Sequence, residues 1–322
     1  MKIVLGINIG GTTCSVSVGK GGEDSLEILD RQSFCTSDYP LPAQVLEKLA
    51  AEAEKIRGEY NLSAVGISCG GPLNSKTGVI LSPPNLPGWI NVAVCDFFEK
   101  RWGIPAFLQN DANAGAVAEW MYGAGRGTNN FIFITFGTGF GAGLILDSKL
   151  YAGNQGMAGE LGHWRISPFG PTGYGKSGSL EGFCSGNGIL QQTKQKLLEL
   201  RQLGLTHPLM GKSEALTTKD MFDLASKGDE LCLEIVSTVG EMLGRGLAML
   251  IDLLNPEVIV AGSIFTRRYD LLHPLAIRII EKEVLSVSAQ HCRILPSKLG
   301  EEIGDISALA TALYSLNQKG TE

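Results

Sequence analysis

The sequence contains neither a Cys-x-x-Cys pair nor a hydrophobic run as long as the roughly 18 residues that a membrane helix requires. Its seven cysteines are odd in number and scattered, a pattern typical of reduced thiols and not of a disulfide framework or a zinc knuckle. The apolar stretch after Met1 and Lys2 is too short for the core of a signal peptide. We therefore expect a cytoplasmic protein with no membrane partner.

The chain also lacks an excess of basic residues. It carries 27 lysines and arginines against 33 aspartates and glutamates, which gives a formal net charge of -6. A nucleic-acid-binding protein normally presents a basic face or run, because contacts with phosphates supply much of its affinity. Nucleic acid is therefore not expected as a partner.

Glycine, by contrast, is abundant. The 322 residues include 42 glycines, about 13% of the chain and nearly twice the usual share of roughly 7%, without a collagen-like period. Hydrophobic residues make up 44% and charged residues 19%, which is ordinary globular usage. A chain of this length predicts about two domains at roughly 150 residues each, with many tight turns and close backbone approaches.

Alternating strand and helix patterns predict an α/β protein. Residues 2–18 have the pattern of a strand, a glycine turn and a second strand, and residues 130–146 repeat it. We predict a small N-terminal domain over 1–115, joined by a C-terminal helix at 303–318, and a large domain over 116–302. The other long helical patterns are 42–60, 189–202, 219–254 and 270–285.

Two Gly-Thr turns lie between the strands of these repeated units. The first is Gly10-Gly11-Thr12-Thr13, and the second spans residues 137–141 and contains Thr138 and Gly139. Glycine admits positive φ and lets backbone N–H groups approach an anion closely, so two such turns could hold one polyphosphate. Each turn alone is equally well explained as a tight hairpin.

Residues 170–177, Gly-Pro-Thr-Gly-Tyr-Gly-Lys-Ser, match the pattern of a nucleotide-binding P-loop letter for letter. A P-loop needs a strand before it and a helix after it. Here Pro168 interrupts the approach, and glycines recur downstream where the helix would have to propagate, each costing about 1 kcal/mol relative to alanine. A P-loop NTPase is therefore a minor hypothesis, which predicts that Lys176→Ala abolishes nucleotide binding.

Asp111 lies where a predicted strand ends and an alanine-rich helix begins. A carboxylate at this position commonly caps the first-turn amides. It is also placed to act as a general base that takes a proton from a substrate hydroxyl during attack on a phosphoryl group, with Asn110 orienting the substrate. The two roles are compatible.

A second polar group follows in the glycine-rich region. Glu160 and His163 are three residues apart and share one face if they form a helical turn. An acid and an imidazole so placed suit the adjacent hydroxyls of a sugar ring, and Glu181 adds a further carboxylate. His163 is equally well explained as a structural histidine, and one histidine without suitably spaced cysteines does not make a metal site.

Taken together, these residues resemble the ROK family (repressor, open reading frame, kinase), a branch of the sugar kinase, actin and Hsp70-like superfamily. The resemblance spans essentially the whole chain, and the segments 110–113 and 156–163 are the most specific. The segments that carry it are 5–12 (Leu-Gly-Ile-Asn-Ile-Gly-Gly-Thr), 84–89 (Pro-Asn-Leu-Pro-Gly-Trp), 110–113 (Asn-Asp-Ala-Asn), 156–163 (Gly-Met-Ala-Gly-Glu-Leu-Gly-His) and 255–263.

The resemblance implies an α/β fold of two RNase H-like (actin-like ATPase) domains around an interdomain cleft, ATP and Mg²⁺ as cofactors, and a homodimer. It makes Asp111 the catalytic base. The sugar-binding residues that it implies are Gly71, Asn85, Asn110, Asp111, Glu160, His163 and Glu181. The ATP-binding residues that it implies are Gly10, Gly11, Thr12, Thr13, Thr138, Gly139, Gly262 and Ser263.

The chain departs from the family pattern at two places. Asn8 stands where the family has an aspartate that helps organise the metal, so metal organisation should weaken. Thr172, Tyr174 and Ser179 stand where the family has three zinc-binding cysteines, so no structural zinc is expected although His163 is retained. Cys184 lies nearby but out of place, and is more simply a small buried residue.

The resemblance therefore predicts an ATP-dependent sugar kinase that phosphorylates the C6 hydroxyl of a hexose or an N-acetylated hexosamine. The alternative is a sugar-binding sensor of the same fold with weak catalysis, which the neutral side chain of Asn8 favours. Family repressors carry a helix-turn-helix segment before the first phosphate motif, whereas here that motif begins within the first dozen residues, so repression by DNA binding is not expected.

Overall fold

In the computed structural model, the chain is described over residues 1–212 and 215–319. The β-strands are β1 (Lys2–Ile9), β2 (Thr13–Gly21), β3 (Leu26–Cys35), β4 (Val65–Cys69), β5 (Leu73–Asn74), β6 (Val79–Ile80), β7 (Val92–Ala93), β8 (Ala106–Asn110), β9 (Phe131–Phe136), β10 (Phe140–Leu146), β11 (Lys149–Tyr151), β12 (Thr172–Gly173), β13 (Lys176–Ser177), β14 (Val258–Ala261) and β15 (Arg293–Pro296). The α-helices are α1 (Pro42–Arg57), α2 (Val94–Trp102), α3 (Asp111–Tyr122), α4 (Leu180–Cys184), α5 (Gly186–Gln202), α6 (Thr218–Ala225), α7 (Glu230–Leu254), α8 (Ile264–Arg267), α9 (Tyr269–Glu283), α10 (Ser286–His291) and α11 (Ile303–Lys319).

Contacts within the chain divide it into two compact units. The first unit comprises Met1–Phe133, Gly143–Ala158 and the C-terminal segment from Lys298, and the second comprises Ile134–Ala142 and Gly159–Ser297. The predicted domain division after residue 115 stays a prediction. Each unit is described below by itself.

The first unit is built on a sheet with the strand order β3-β2-β1-β4-β8. Strands β1, β4 and β8 run parallel, with Ile9, Cys69 and Asn110 in register at their carboxyl ends. The odd-numbered apolar residues of β1 face the core formed with α1 and α2, while Val4 on the other face packs with α11. The three strands therefore end at one edge, where ligands commonly bind in parallel sheets.

Helix α11 lies unusually close to this sheet. A Cβ added to Gly66 would lie only 1.9 Å from the carbonyl oxygen of Ala308 and 2.6 Å from the backbone nitrogen of Ala312. No side chain fits in that space, so glycine at position 66 allows the helix to cover the strand directly. The predicted C-terminal helix is confirmed, and it packs against the first sheet.

The second sheet has the strand order β11-β10-β9-β14-β15. In the second unit, the long helix α7 packs against α9, where Gly240 and Gly244 approach Leu275 and Ile279. The single helix predicted over 219–254 is wrong, because the chain turns at Gly228 with a φ of 89° between α6 and α7. None of the described helices is both long and apolar enough to cross a membrane.

Candidate active site

The carboxyl edge of the first sheet gathers most of the predicted residues of the first unit. Gly10 follows β1, Gly71 lies two residues beyond β4, and Asp111 follows β8. Because the ends of these strands are in register, the three loops start side by side. A Cβ added to Gly71 would meet nothing within 4 Å, so the main chain there borders open space.

Asn110 and Asp111 divide two tasks at the start of α3. The side-chain oxygen of Asn110 accepts the backbone N–H of Asn113 at 2.7 Å and is the helix cap. The carboxylate of Asp111 accepts the neighbouring N–H of Ala112 on Oδ1 at 2.8 Å and also its own N–H. Asn110 is therefore the cap of the helix, while Asp111 holds one N–H of the first turn.

The surroundings of Asp111 make its carboxylate more basic. Solvent still reaches this residue, yet the protein atoms around it displace enough water that desolvation raises its pKa, an effect that its own N–H and that of Ala112 partly offset. Burial also raises the pKa of the neighbouring Cys69 thiol, and the negative charge of Asp111 adds to that rise. Cys69 therefore stays a neutral thiol beneath the carboxylate.

The first glycine turn is compact. Neither Gly10 nor Gly11 is among the residues with positive φ in the described ranges, so this turn does not use the left-handed backbone that glycine admits. Close packing requires these glycines instead: added Cβ atoms would lie 2.6 Å from the carbonyl oxygen of Thr13 and 2.6 Å from that of Asn85, respectively. Asn85 thus lies directly against the turn.

Thr36, which the sequence analysis missed, fastens this turn from the residue just after β3. Its hydroxyl donates to the carbonyl oxygen of Gly10 at 2.7 Å, and its backbone N–H donates to that of Thr12 at 2.9 Å. The partners are more than twenty residues apart in sequence, so no local pattern reveals the contact. These two hydrogen bonds fix the turn while Thr12 and Thr13 stay exposed.

Asn8 faces α11 near this turn. A Cβ added to Gly304 would lie 3.2 Å from its Nδ2, and Asn8 pairs across the strands with Ser15. Ser15 in turn donates its hydroxyl to the buried carboxylate of Asp305 at 2.6 Å, and Arg31 pairs with the same carboxylate. The amide of Asn8 makes no hydrogen bond with any residue that the structure describes.

In the second unit, Glu181 holds the second glycine turn. The backbone N–H of Phe140 donates to Oε2 of Glu181 at 3.0 Å, and a Cβ added to Gly139 would lie 3.0 Å from the same oxygen. The backbone N–H of Gly186 donates to the carbonyl oxygen of Gly137 at 2.8 Å. Thr138, at the tip, is exposed. As in the first turn, Gly137 and Gly139 are not among the described residues with positive φ.

Glu160 and His163 join this group. They flank a short 3-10 helix, Leu161–His163, in which the N–H of His163 donates to the carbonyl oxygen of Glu160 at 3.1 Å. A Cβ added to Gly162 would lie 2.1 Å from the carbonyl oxygen of Phe140 and 3.3 Å from Cβ of Glu181. The three predicted sugar contacts of this unit therefore cluster around the start of β10.

The predicted nucleoside-side residues lie at the end of β14. The N–H of Gly262 donates to the carbonyl oxygen of Ile134 in β9 at 2.9 Å. Ser263 has a φ of 55°, and a Cβ added to Gly137 would come within 3.5 Å of its hydroxyl. The second glycine turn and the end of β14 are therefore neighbours.

The P-loop hypothesis is wrong. Residues 172–177 form a two-stranded hairpin, β12 and β13, and not the junction of a strand and a helix. The ammonium of Lys176 donates to the carbonyl oxygen of His163 at 2.7 Å, so it is engaged by the protein's own backbone. No phosphate cradle exists at this hairpin.

Comparison with known proteins decides the family. The model of the ROK family matches residues 4–314. This chain belongs to the ROK family. It is 31% identical to the glucokinase of Thermotoga maritima over 307 residues, which cover 95% of both chains. It is also 30% identical to the DNA-binding transcriptional repressor Mlc of Escherichia coli, over 72% of this chain and 56% of the repressor.

A solved structure shows the same architecture. The ROK family glucokinase from Streptomyces griseus, in complex with glucose and AMPPNP, superposes with a TM-score of 0.78 at 28% identity, over 96% of this chain and 99% of that one. The solved ROK sugar kinases that this chain resembles have the actin-like ATPase fold. The predicted fold class is therefore confirmed.

Proposed function

We propose that this ROK protein transfers the γ-phosphoryl group of ATP to the C6 hydroxyl of a hexose or an N-acetylated hexosamine. The glucokinases among its relatives support sugar phosphorylation, and the AMPPNP complex of one of them supports ATP as the donor. The observation that carries the proposal is the position of Asp111, which is exposed at the edge where the parallel strands end, lies beside the helix cap Asn110, and has its pKa raised by the protein around it.

Asp111 is the proposed general base. As the sugar hydroxyl attacks the γ-phosphorus, its proton passes to Oδ2 of Asp111, and the bond from the phosphorus to the β,γ-bridging oxygen breaks to leave ADP. A raised pKa brings the base closer to the pH at which it works, which increases its affinity for that proton. Phosphoryl transfer asks little covalent chemistry of the protein, so positioning supplies most of the remaining rate.

The proposed sugar contacts are amide, carboxylate and imidazole groups that belong in part to each unit. Nδ2 of Asn110 makes no hydrogen bond with any described residue, because only its oxygen serves as the helix cap, so it can donate to a sugar oxygen. Gly71 and Asn85 complete the first unit's set. Glu160, His163 and Glu181 are the proposed contacts of the second unit, where they cluster around β10.

The two glycine turns and the end of β14 are the proposed ATP contacts, through Gly10 to Thr13, Thr138, Gly139, Gly262 and Ser263. Mg²⁺ is usually held by one or two carboxylates together with phosphates and several waters. The side-chain oxygen of Asn8 is the donor that would help to hold it beside the phosphates of ATP, and this neutral oxygen would hold it less firmly than a carboxylate. When bound, Mg²⁺ neutralises phosphate charge.

A sugar panel tests the proposal directly. Purified protein is mixed with ATP, Mg²⁺ and, in turn, glucose, mannose, fructose, N-acetylglucosamine and N-acetylmannosamine, and ADP release is followed with a coupled assay. We expect at least one sugar to raise ADP release tenfold or more above the rate without sugar. A folded protein that releases no ADP with any of these sugars contradicts the kinase. The proposed homodimer is checked separately by sedimentation.

A sugar sensor with weak catalysis is the second candidate, and the neutral amide at position 8 favours it. Asn8 keeps the shape of aspartate and one acceptor but not the negative charge. Calorimetry that shows sugar binding without ATP turnover, followed by a gain of turnover in Asn8→Asp, would support the sensor. The relationship to Mlc, which is named as a transcriptional repressor and not as a kinase, agrees with this second candidate.

A further inference from the structure

Two of the three positions at which the family resemblance implies zinc-binding cysteines, Thr172 and Tyr174, lie on the hairpin of β12 and β13, and the third, Ser179, caps α4 just after it. The residues at these positions do not fit zinc. Ser179 accepts the N–H of Gly182 as the cap of α4. The backbone of Thr172 is held by the side-chain amide of Gln191, through bonds of 3.1 and 2.8 Å. Neutral hydroxyls with one imidazole are not the thiolate and imidazole set that structural zinc prefers.

Two other residues of the hairpin hold the histidine instead. The ammonium of Lys176 donates to the carbonyl oxygen of His163 at 2.7 Å. The ring of Tyr174 meets the imidazole edge to face, with 5.1 Å between centroids and 80° between planes. The bond from Lys176 fixes the backbone of His163, and the contact with Tyr174 fixes its ring. A metal bound to the imidazole would restrict the residue in a similar way.

The segment that follows the hairpin is itself bonded to the segment that follows His163. The N–H of Leu180 donates to the carbonyl oxygen of Trp164 at 2.8 Å, and that of Ile166 donates to the carbonyl oxygen of Gly178 at 3.0 Å. These bonds cross from the segment after His163 to the segment after the hairpin. Lys176 and Tyr174 therefore project from a support that cannot shift independently of the histidine.

The backbone at the tip indicates that the Tyr174 ring has a role. Tyr174 has a φ of 44° and Gly175 a φ of 76°, the combination of a type I′ turn, in which asparagine, aspartate and glycine are the usual residues. A tyrosine is disfavoured by this backbone, and its side chain is largely exposed. The ring packs against the imidazole of His163. This contact gives a reason for a tyrosine at a position with a disfavoured backbone conformation.

We propose that Tyr174 and Lys176 are positioning residues that orient His163 toward the sugar without a metal. This inference rests on the proposed function, in which His163 contacts the sugar. It predicts that the hairpin sets the affinity for sugar and leaves the phosphoryl-transfer step, which depends on Asp111, nearly unchanged.

Steady-state kinetics of Lys176→Met and Tyr174→Gly test the proposal. Glycine suits the backbone at 174, so Tyr174→Gly removes the ring and keeps the turn. We expect both variants to raise the KM for sugar about five- to twentyfold while kcat changes less than twofold, and Tyr174→Phe to return KM to within twofold. Lys227→Met, an exposed lysine outside the hairpin, is the matched control. Unchanged KM in both variants, or equal losses in kcat, would overturn the proposal.

Metal analysis provides a second arm. We expect the protein as purified to hold well under 0.1 zinc per chain, and a zinc chelator to leave both the melting temperature and the KM for sugar unchanged. One zinc per chain, or a chelator-induced loss of several degrees, would overturn the metal-free arrangement.

A readout without substrate separates this proposal from the proposed function. The chain has four histidines, so the ring Cε1 proton of His163 is assigned by its disappearance in His163→Gln. We expect this resonance to shift in Tyr174→Gly and to return in Tyr174→Phe, because an aromatic edge beside the imidazole is lost and then restored. A resonance that is the same in all three proteins refutes the positioning role, whatever the sugar panel shows.

Discussion

Replacing Asp111 with asparagine removes the proposed base and keeps the shape of the side chain. General base catalysis contributes about 10²–10⁴-fold to such reactions, so kcat is expected to fall by that factor, which corresponds to about 2.7–5.4 kcal/mol of transition-state stabilisation. Sugar affinity measured by calorimetry should stay within about tenfold, because the neighbouring Asn110 and the glycine turns are unchanged.

The same substitution should not weaken the fold. The cap of α3 is the side chain of Asn110, which Asp111→Asn leaves in place. Desolvation raises the pKa of Asp111 above its ordinary value of 3.8, so the folded chain binds this proton more tightly than the unfolded chain. The contribution of this carboxyl group to the free energy of unfolding therefore falls as the pH rises from about 3.8 through the raised pKa. At neutral pH the charged carboxylate is a cost, and the variant should melt at the same temperature or higher.

The assay is ADP release against pH, with thermal melts of the same samples. Because the base must be deprotonated, the acid limb of the wild-type profile should lie above pH 3.8, shifted in the direction of the raised pKa. Asp96→Asn, at an exposed ion pair with Lys100 on α2, is the matched control and should keep full activity. Turnover retained in Asp111→Asn, with the protein folded, refutes the base.

Three further substitutions probe the support of the first unit. Gly66→Ala should lose at least about 3 kcal/mol of unfolding free energy in urea titrations, since its Cβ would overlap the backbone of α11, whereas Gly22→Ala, with nothing within 4 Å, should be neutral. Asn110→Ala should lose about 1 kcal/mol in the same titrations and raise the KM for sugar; unchanged stability would contradict the cap. Thr36→Val should raise the KM for ATP about two- to tenfold and leave that for sugar unchanged, because the hydroxyl's bonds to Gly10 and to the Cys14 thiol beneath the turn are lost; equal changes in both would contradict its placement.

Much of the local structure follows from sequence pattern. The helix predicted over 42–60 begins at the same residue as α1, and the first strand–turn–strand unit agrees with β1 and β2. Strand β3 was missed, since its outer residues are exposed and its apolar period is weak. The break between α6 and α7 was missed because apolar spacing continues across Gly228. Hydrophobic periodicity shows which face of a helix is buried. A short turn after which the same face stays buried therefore leaves no signal in the sequence.

The residues of the candidate site could be predicted from the sequence, but the role of each could not. Sequence placed Asn110 and Asp111 at the junction of a strand and a helix, yet only the coordinates assign the cap to Asn110. It also indicated close backbone approach at the glycine turns, but the reason lies in Asn85 and Glu181, which are remote in sequence.

The amino-acid sequence by itself determined the α/β fold class, the ROK family and the set of polar residues offered for catalysis, because these depend on local spacing and on segments read in order. Tertiary structure alone decided which carboxylate is desolvated, which residues fasten the turns, and what holds His163. Those properties arise from contacts such as Thr36 with Gly10 and Lys176 with His163, in which distance in space is unrelated to distance along the chain.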